Sequence, residues 1–229
     1  MIASLVLAIA LSAAAYIGTE VQGGGTISGR ITYNGRPPAT ARLPILTDRQ
    51  YCGSSRDDET WMVGADGGVR NVVVFLSDIA TGKKMTPTSN LVLDQVGCRY
   101  VPRISVVPVD TLMEVKSSDP VLHNVHTYRE GATLLNFAVP PKQNFSITRK
   151  LDKPGGMKLK CDVHPFMHGA VFVAANPYVA LTGEDASYQI PNVPPGTYTI
   201  NTWHEMAGGI AQRVTVPDNS NVVWSAKVK

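Results

Sequence analysis

Residue types that bind soft or borderline metals meet in one short stretch, Cys161-Asp162-Val163-His164-Pro165-Phe166-Met167-His168. The five histidines lie at 123, 126, 164, 168 and 204, and the three cysteines at 52, 98 and 161. One thiolate, two imidazoles and a weak, long thioether bond define a trigonal blue-copper site. The thiolate is soft and strongly donating, imidazole is borderline, and the long Met bond spares Cu(I) a forced square geometry. Cys161, His164 and Met167 offer three such donors from one loop. The fourth donor must come from an earlier segment, where His123 and His126 stand; both are read as sharing one strand face. A structural zinc site normally uses more Cys or His and no Met. A dinuclear copper centre needs a second loop cysteine, and there is none. An inert buried thiol is the ordinary fate of a free cysteine, and the company of His164 and Met167 argues against it here.

Such a loop needs rigid flanks. Short runs of alternating apolar and polar residues recur between Gly, Pro, Asn and Asp: Thr26–Tyr33, Val72–Leu76, Leu91–Asp94, Arg103–Val107, Leu112–Lys116, Asn144–Lys150, Met157–Cys161, Gly169–Ala174, Thr197–Thr202 and Val222–Val228. Their period is two rather than 3.6. Strands so spaced predict an all-β sandwich or barrel. In Met157–Cys161 the alternation puts Met157, Leu159 and Cys161 on one inward face. The stretch 39–68 reads as long and irregular. Low charge (17%), 44% hydrophobic residues, 20 Gly and 16 Pro agree with short strands and many turns.

The two ends of the chain share a style that the middle lacks. Gly25-Thr-Ile-Ser-Gly-Arg-Ile-Thr-Tyr-Asn-Gly-Arg-Pro-Pro38 is read as strand, turn and strand. Asn71–Leu76 follows, and much later Ser187–Ile200 carries Val193-Pro-Pro-Gly-Thr-Tyr198. Together these resemble the carboxypeptidase regulatory-like (transthyretin-like) β-sandwich. The resemblance implies a small sandwich from 21–85 and 177–229, split by a second module at 86–176, and a scaffold rather than a catalyst.

That second module resembles the cupredoxins of the amicyanin and plastocyanin type. The motifs are Cys161–Met167, with C-x2-H-P-F-M spacing, and Leu122-His123-Asn124-Val125-His126, with Asn124 lying 37 residues before Cys161. The resemblance implies a Greek-key cupredoxin β-sandwich inserted into the smaller one. It implies one type 1 copper held by His123, Cys161, His164 and Met167, with Asn124 fixing the loop beside the thiolate. It selects His123 over His126. Leu122 stands where amicyanin has proline, and the amicyanin partner is not carried over. The expected role is single-electron transfer with a redox partner protein (cytochrome c or a dehydrogenase or oxidase), not enzymatic turnover. Electrons would pass through the His164 imidazole edge, expected at the surface within an apolar rim of Pro165 and Phe166.

The remaining residues bound the setting. Residues 2–17 are apolar or small, and the first charge is Glu20. Sixteen residues are short for a span, which needs about 20, and suit a secretory signal. Residues 1–20 are therefore expected to be a signal peptide or an N-terminal membrane anchor, ahead of a Gly23-Gly24-Gly25 linker, with a periplasmic or extracellular location. There, Cys52 and Cys98 are expected to form a disulfide, worth ~4 kcal/mol in the chain-entropy view. The net charge of +3 is spread without a basic cluster, which excludes a nucleic-acid binder. Trp203-His204-Glu205 is expected at the interface of the two modules; a second metal site from His204, Glu205 and His168 is the sharper alternative. Rival functions are copper storage or delivery and a non-enzymatic scaffold. Five histidines are too few for a multicopper oxidase or nitrite reductase.

Overall fold

Alternation becomes strands throughout the computed structural model, which describes residues 16–86, 89–141 and 146–229. The protein is all-β; the one α-helix among the described residues is the turn Arg49–Cys52. Within residues 91–174 two sheets face each other. One is four-stranded, in the order Ile147–Leu151, Thr111–Ser117, Leu91–Gln95, Tyr100–Val101. The other is five-stranded, in the order Ala132–Val139, His123–Arg129, Gly155–Lys160, His168–Ala174, Ile104–Pro108. Both are mixed. Thr111–Ser117 runs parallel to Leu91–Gln95, and His168–Ala174 runs parallel to Ile104–Pro108. Leu93, Met113 and Val115 from one sheet meet Val125, Leu159 and Val171 from the other in one core.

A second pair of sheets comes from the two ends. Val179–Leu181, Val73–Leu76, Gly196–Trp203 and Ala211–Val216 form one. Ser187–Val193, Gly25–Tyr33 and Asn221–Val223 form the other, with Ala226–Val228 also on Gly25–Tyr33. Ile27, Ile31, Val74, Leu76, Ile190 and Ile200 fill the space between them. His168–Ala174 departs from simple alternation, being buried on both faces. Val171 and Val173 point into the first core, whereas Phe172 and Ala174 pack with Val73 and Phe75 of the second pair. A strand wedged between two layers needs apolar residues on both sides.

Two sequence expectations change. Gly25–Tyr33 is one continuous nine-residue strand, as the Thr26–Tyr33 alternation predicts, but no second strand follows it before Pro38. Within Gly25–Tyr33, Gly29 lets the Trp224 carbonyl come close, and an added Cβ would stand 1.8 Å from that oxygen. The stretch 39–68 is not irregular throughout, because Arg42–Pro44 pairs with Ser55–Asp57 and the helical turn lies between them. This strap lies against the 91–174 core, where Ile45 and Cys52 are buried. The Cys52–Cys98 disulfide forms as expected, with Cα atoms 5.6 Å apart.

Residues 1–15 of the expected leader lie outside the described residues. Ile17–Gly18 pairs in parallel with Thr81–Gly82, and the Tyr16 hydroxyl donates to the Lys83 carbonyl at 2.6 Å. Asn144 and Phe145 of the expected strand 144–150 also lie outside; the strand is Ile147–Leu151. No helix among the described residues is long and apolar enough to cross a membrane.

Candidate metal centre

Two neighbouring strands build the site. Gly155–Lys160 and His168–Ala174 are antiparallel, with Lys160 opposite His168, so residues 161–167 form the loop at their end. The loop is closed by Cys161 N–H to the Met167 carbonyl (3.2 Å) and Met167 N–H to the His164 carbonyl (2.8 Å). His123 opens the adjacent strand His123–Arg129. Its side chain, with those of Cys161 and His164, is fully buried.

These three side chains converge. Their ligand atoms all lie within 4.8 Å of one another. His123 Nδ1 is 3.0 Å from His164 Nδ1, and Cys161 Sγ is 3.7 Å from His164 Nδ1. Donors sharing one ion at bond lengths of about 2.0–2.3 Å stand roughly 3–4 Å apart. Met167 is buried in the same core as Cys161, 1% exposed. A grouping of Cys98, Asp119 and His123 is equally close, but the Cys98 sulfur is committed to the disulfide and offers no thiolate.

The outer nitrogens of both rings meet carboxylates. His123 Nε2 is 2.9 Å from Asp119 Oδ2, and His164 Nε2 is 3.0 Å from Asp48 Oδ2. A carboxylate only accepts, so a neutral ring at either position carries its proton on Nε2 and turns a lone pair on Nδ1 inward. In two such neutral rings the Nδ1 lone pairs face each other at 3.0 Å. A cation relieves that repulsion, and the donor set of two imidazoles and a thiol suits a soft or borderline one. Burial holds His123 below the ordinary imidazole pKa, outweighing Asp119, so its ring is neutral and able to ligate. Burial opposes ionisation of Asp119, yet hydrogen bonds from Cys98 N–H, the Tyr51 hydroxyl, Gly97 N–H and His123 hold it below the usual carboxylate range. Burial also pushes the Cys161 thiol up, against the Asn124 N–H that donates to its sulfur at 3.5 Å.

Asn124 stands where expected. Besides that bond, its side-chain oxygen accepts from Asp162 N–H and its Nδ2 donates to Asn136 Oδ1 at 2.8 Å. His126 does not share the face of His123. The two are three residues apart, so the pleat sends them to opposite sides. His126 instead binds Asp162 through Nδ1 (2.9 Å) and Thr133 through Nε2 (2.8 Å). His168 lines a separate cleft of about 440 Å³ with Asp58, Lys160 and Glu205. His204 packs on Trp61, ring centroids 4.7 Å apart, and accepts from Met206 N–H at 3.2 Å. Glu205 pairs with Arg103. Among the described residues, His168, His204 and Glu205 do not form a metal-ligand group.

The clearest correction concerns His164. Its edge was expected at the surface within an apolar rim. It is 0% exposed, and Phe166 is 8% exposed, while Pro165 alone of the three is exposed. The strap covers them: Asp48 faces His164, and the Arg56 guanidinium lies over the Phe166 ring, 4.8 Å from its centroid. Sequence reasoning missed Asp48 and Asp119. Asp119 stands four residues before His123, a weak signal; Asp48 is 116 residues from His164 and gave none.

No family model matches the chain, and no curated protein matches it in sequence. Solved structures do. The structural neighbours are cupredoxins. An amicyanin variant in its reduced Cu(I) form matches at 23% identity over 39% of this chain and 86% of its own, with a TM-score of 0.34. Amicyanin from Paracoccus versutus matches at 17% identity over 39% and 85%, also with a TM-score of 0.34. A purple cupredoxin from Nitrosopumilus maritimus matches at 21% identity over 38% and 100%, with a TM-score of 0.33.

Proposed function

We propose that this protein is a type 1 copper protein that carries single electrons, with one copper held by His123, Cys161, His164 and Met167. The observation behind it is the convergence of two inward Nδ1 lone pairs and one buried thiol, each imidazole tied by a carboxylate. Copper bound there supplies a one-electron couple. The chain's part is to keep that geometry unchanged. Asp119 and Asp48 orient the rings, Asn124 N–H steadies the sulfur, and the loop 161–167 is clamped by its own backbone bonds. The Met167 thioether, buried in the same core, would be the fourth, weak donor. Burial excludes water from all four side chains.

In this reading residues 86–176 are a cupredoxin domain carried within a regulatory-like sandwich of 21–85 and 177–229. The protein is exported to the periplasm or cell exterior, consistent with a disulfide and with the apolar N-terminal segment, cleaved or kept as an anchor. It is a carrier rather than an enzyme. Its partner is another redox protein, a cytochrome c or a dehydrogenase or oxidase, and not a nucleic acid. A second reading, copper storage or delivery, draws support from the burial of His164, because a covered imidazole offers a partner no direct contact.

Visible absorption and EPR after Cu(II) addition test the proposal. The expected result is an intense thiolate-to-copper band with narrow hyperfine splitting, abolished in Cys161→Ser while the fold is retained. Copper bound without that band would move the reading to storage or delivery. A band surviving in Cys161→Ser would refute the ligand assignment.

A further inference from the structure

The strap over the loop does more than shield it. Its helical turn places Asp48, Tyr51 and Cys52 three and four residues apart, hence on one face. Asp48 reaches one support of the site, and Tyr51 and Cys52 reach the other. Asp48 Oδ2 meets His164 Nε2 at 3.0 Å. The Tyr51 hydroxyl donates to Asp119 Oδ1 at 2.7 Å. Cys52 is bonded to Cys98, whose own N–H donates to Asp119 Oδ2 at 2.7 Å. Asp48 precedes the turn in the left-handed region (φ 52°) and makes no side-chain cap bond. An aspartate in that place ordinarily caps the turn with its side chain. Here the carboxylate is free to point at the imidazole instead.

We propose that Asp48 is a positioning residue for the metal centre, biasing it toward the more highly charged Cu(II) state by placing a second carboxylate on the ligand set. This rests on the copper reading above. The physical basis is that a carboxylate accepting from Nε2–H fixes the tautomer and raises the basicity of the ligating Nδ1. Asp119 does this for His123 from a fully buried position. Asp48 does it for His164 from the strap, with 37% of its side chain exposed. Both imidazoles therefore carry a negative partner, and the one on His164 is supplied by a segment the disulfide ties down.

The test compares full-length wild type, Asp48→Asn and Asp57→Asn, each loaded with Cu(II), by spectroelectrochemistry. Asp57 is a strap carboxylate paired with Arg42 and exposed, so its variant removes the same charge without touching His164. Asp48→Asn is expected to lower the Cu(II)-to-Cu(I) affinity ratio by about tenfold, a rise in midpoint potential of ~59 mV for one electron. Asp57→Asn is expected to shift it less than twofold. No shift in Asp48→Asn, or equal shifts in both, would overturn the proposal. Imidazole ¹⁵N spectra of metal-free wild type need no variant: a His164 proton on Nε2 supports the assignment, and one on Nδ1 overturns it. If wild type binds Cu(II) without the thiolate band, the type 1 reading fails, whereas the ¹⁵N result still decides the Asp48 contact.

Discussion

Replacing Cys52 with alanine opens the bond to Cys98 and frees the strap that carries Asp48. The two cysteines are 46 residues apart. In the chain-entropy view a closed loop of that length restricts the unfolded chain by about 4 kcal/mol at 25 °C. The strap and the turn carrying Cys98 also share a core, since Ile45, Cys52 and Cys98 are buried together with Tyr100 and Phe166. The loss therefore falls on the unit that holds the candidate ligands. With a urea slope of about 2–3 kcal/mol per molar, the midpoint should drop by roughly 1–2 M. The assay is urea unfolding followed by circular dichroism, with and without reductant. In non-reducing buffer Cys52→Ala should unfold at the lower midpoint. In reductant, wild type should fall to meet it. Equal midpoints without reductant would refute the stabilising role of the cross-link. A difference of full size in reductant would assign the effect to lost packing of the Cys52 side chain.

Two further outcomes are expected. Burial, with Arg103 and Lys158 nearby, pushes His204 down to about 4. A histidine depressed in the fold contributes full stability above its unfolded value of about 6.5 and loses it as pH falls toward 4, by up to about 3 kcal/mol. Comparing urea midpoints of wild type and His204→Gln between pH 7.5 and 4.5 should show a steeper acid loss in wild type; parallel profiles would exclude His204 as the cause. Gly29→Ala should lower the melting temperature, because its Cβ would meet the Trp224 carbonyl oxygen at 1.8 Å, at a cost of about 1–3 kcal/mol. Gly208→Ala, with open space around it, should leave the melting temperature unchanged.

The β class was legible because alternation is a local property: Thr111–Ser117 reads buried and less buried by turns in the fold as in the sequence. His168–Ala174 was harder, since its outer face is covered by Val73 and Phe75, residues about a hundred positions away. Gly29 sits inside the alternating run Thr26–Tyr33. Its reason is a carbonyl contributed by Trp224, which no local pattern encodes. The strap was misread as irregular because its two strands have three residues each, too short to show a period.

The candidate site divides in the same way. Cys161, His164 and Met167 stand within seven residues, so the donor types and their loop were decided by covalent spacing. His123 and Asn124 were reachable because one strand segment carries both. His126 was misplaced: it was read as sharing the face of His123, but the two are three residues apart and the pleat sends them to opposite sides. Only the tertiary structure decided that His164 is buried, that Asp48 and Asp119 hold the two rings, and that a disulfide-tied strap closes the site. The reason is distance along the chain: the Asp48–His164 contact spans 116 residues. Neither residue's neighbours carry any trace of it, and packing of the strap onto the 91–174 core brings them together.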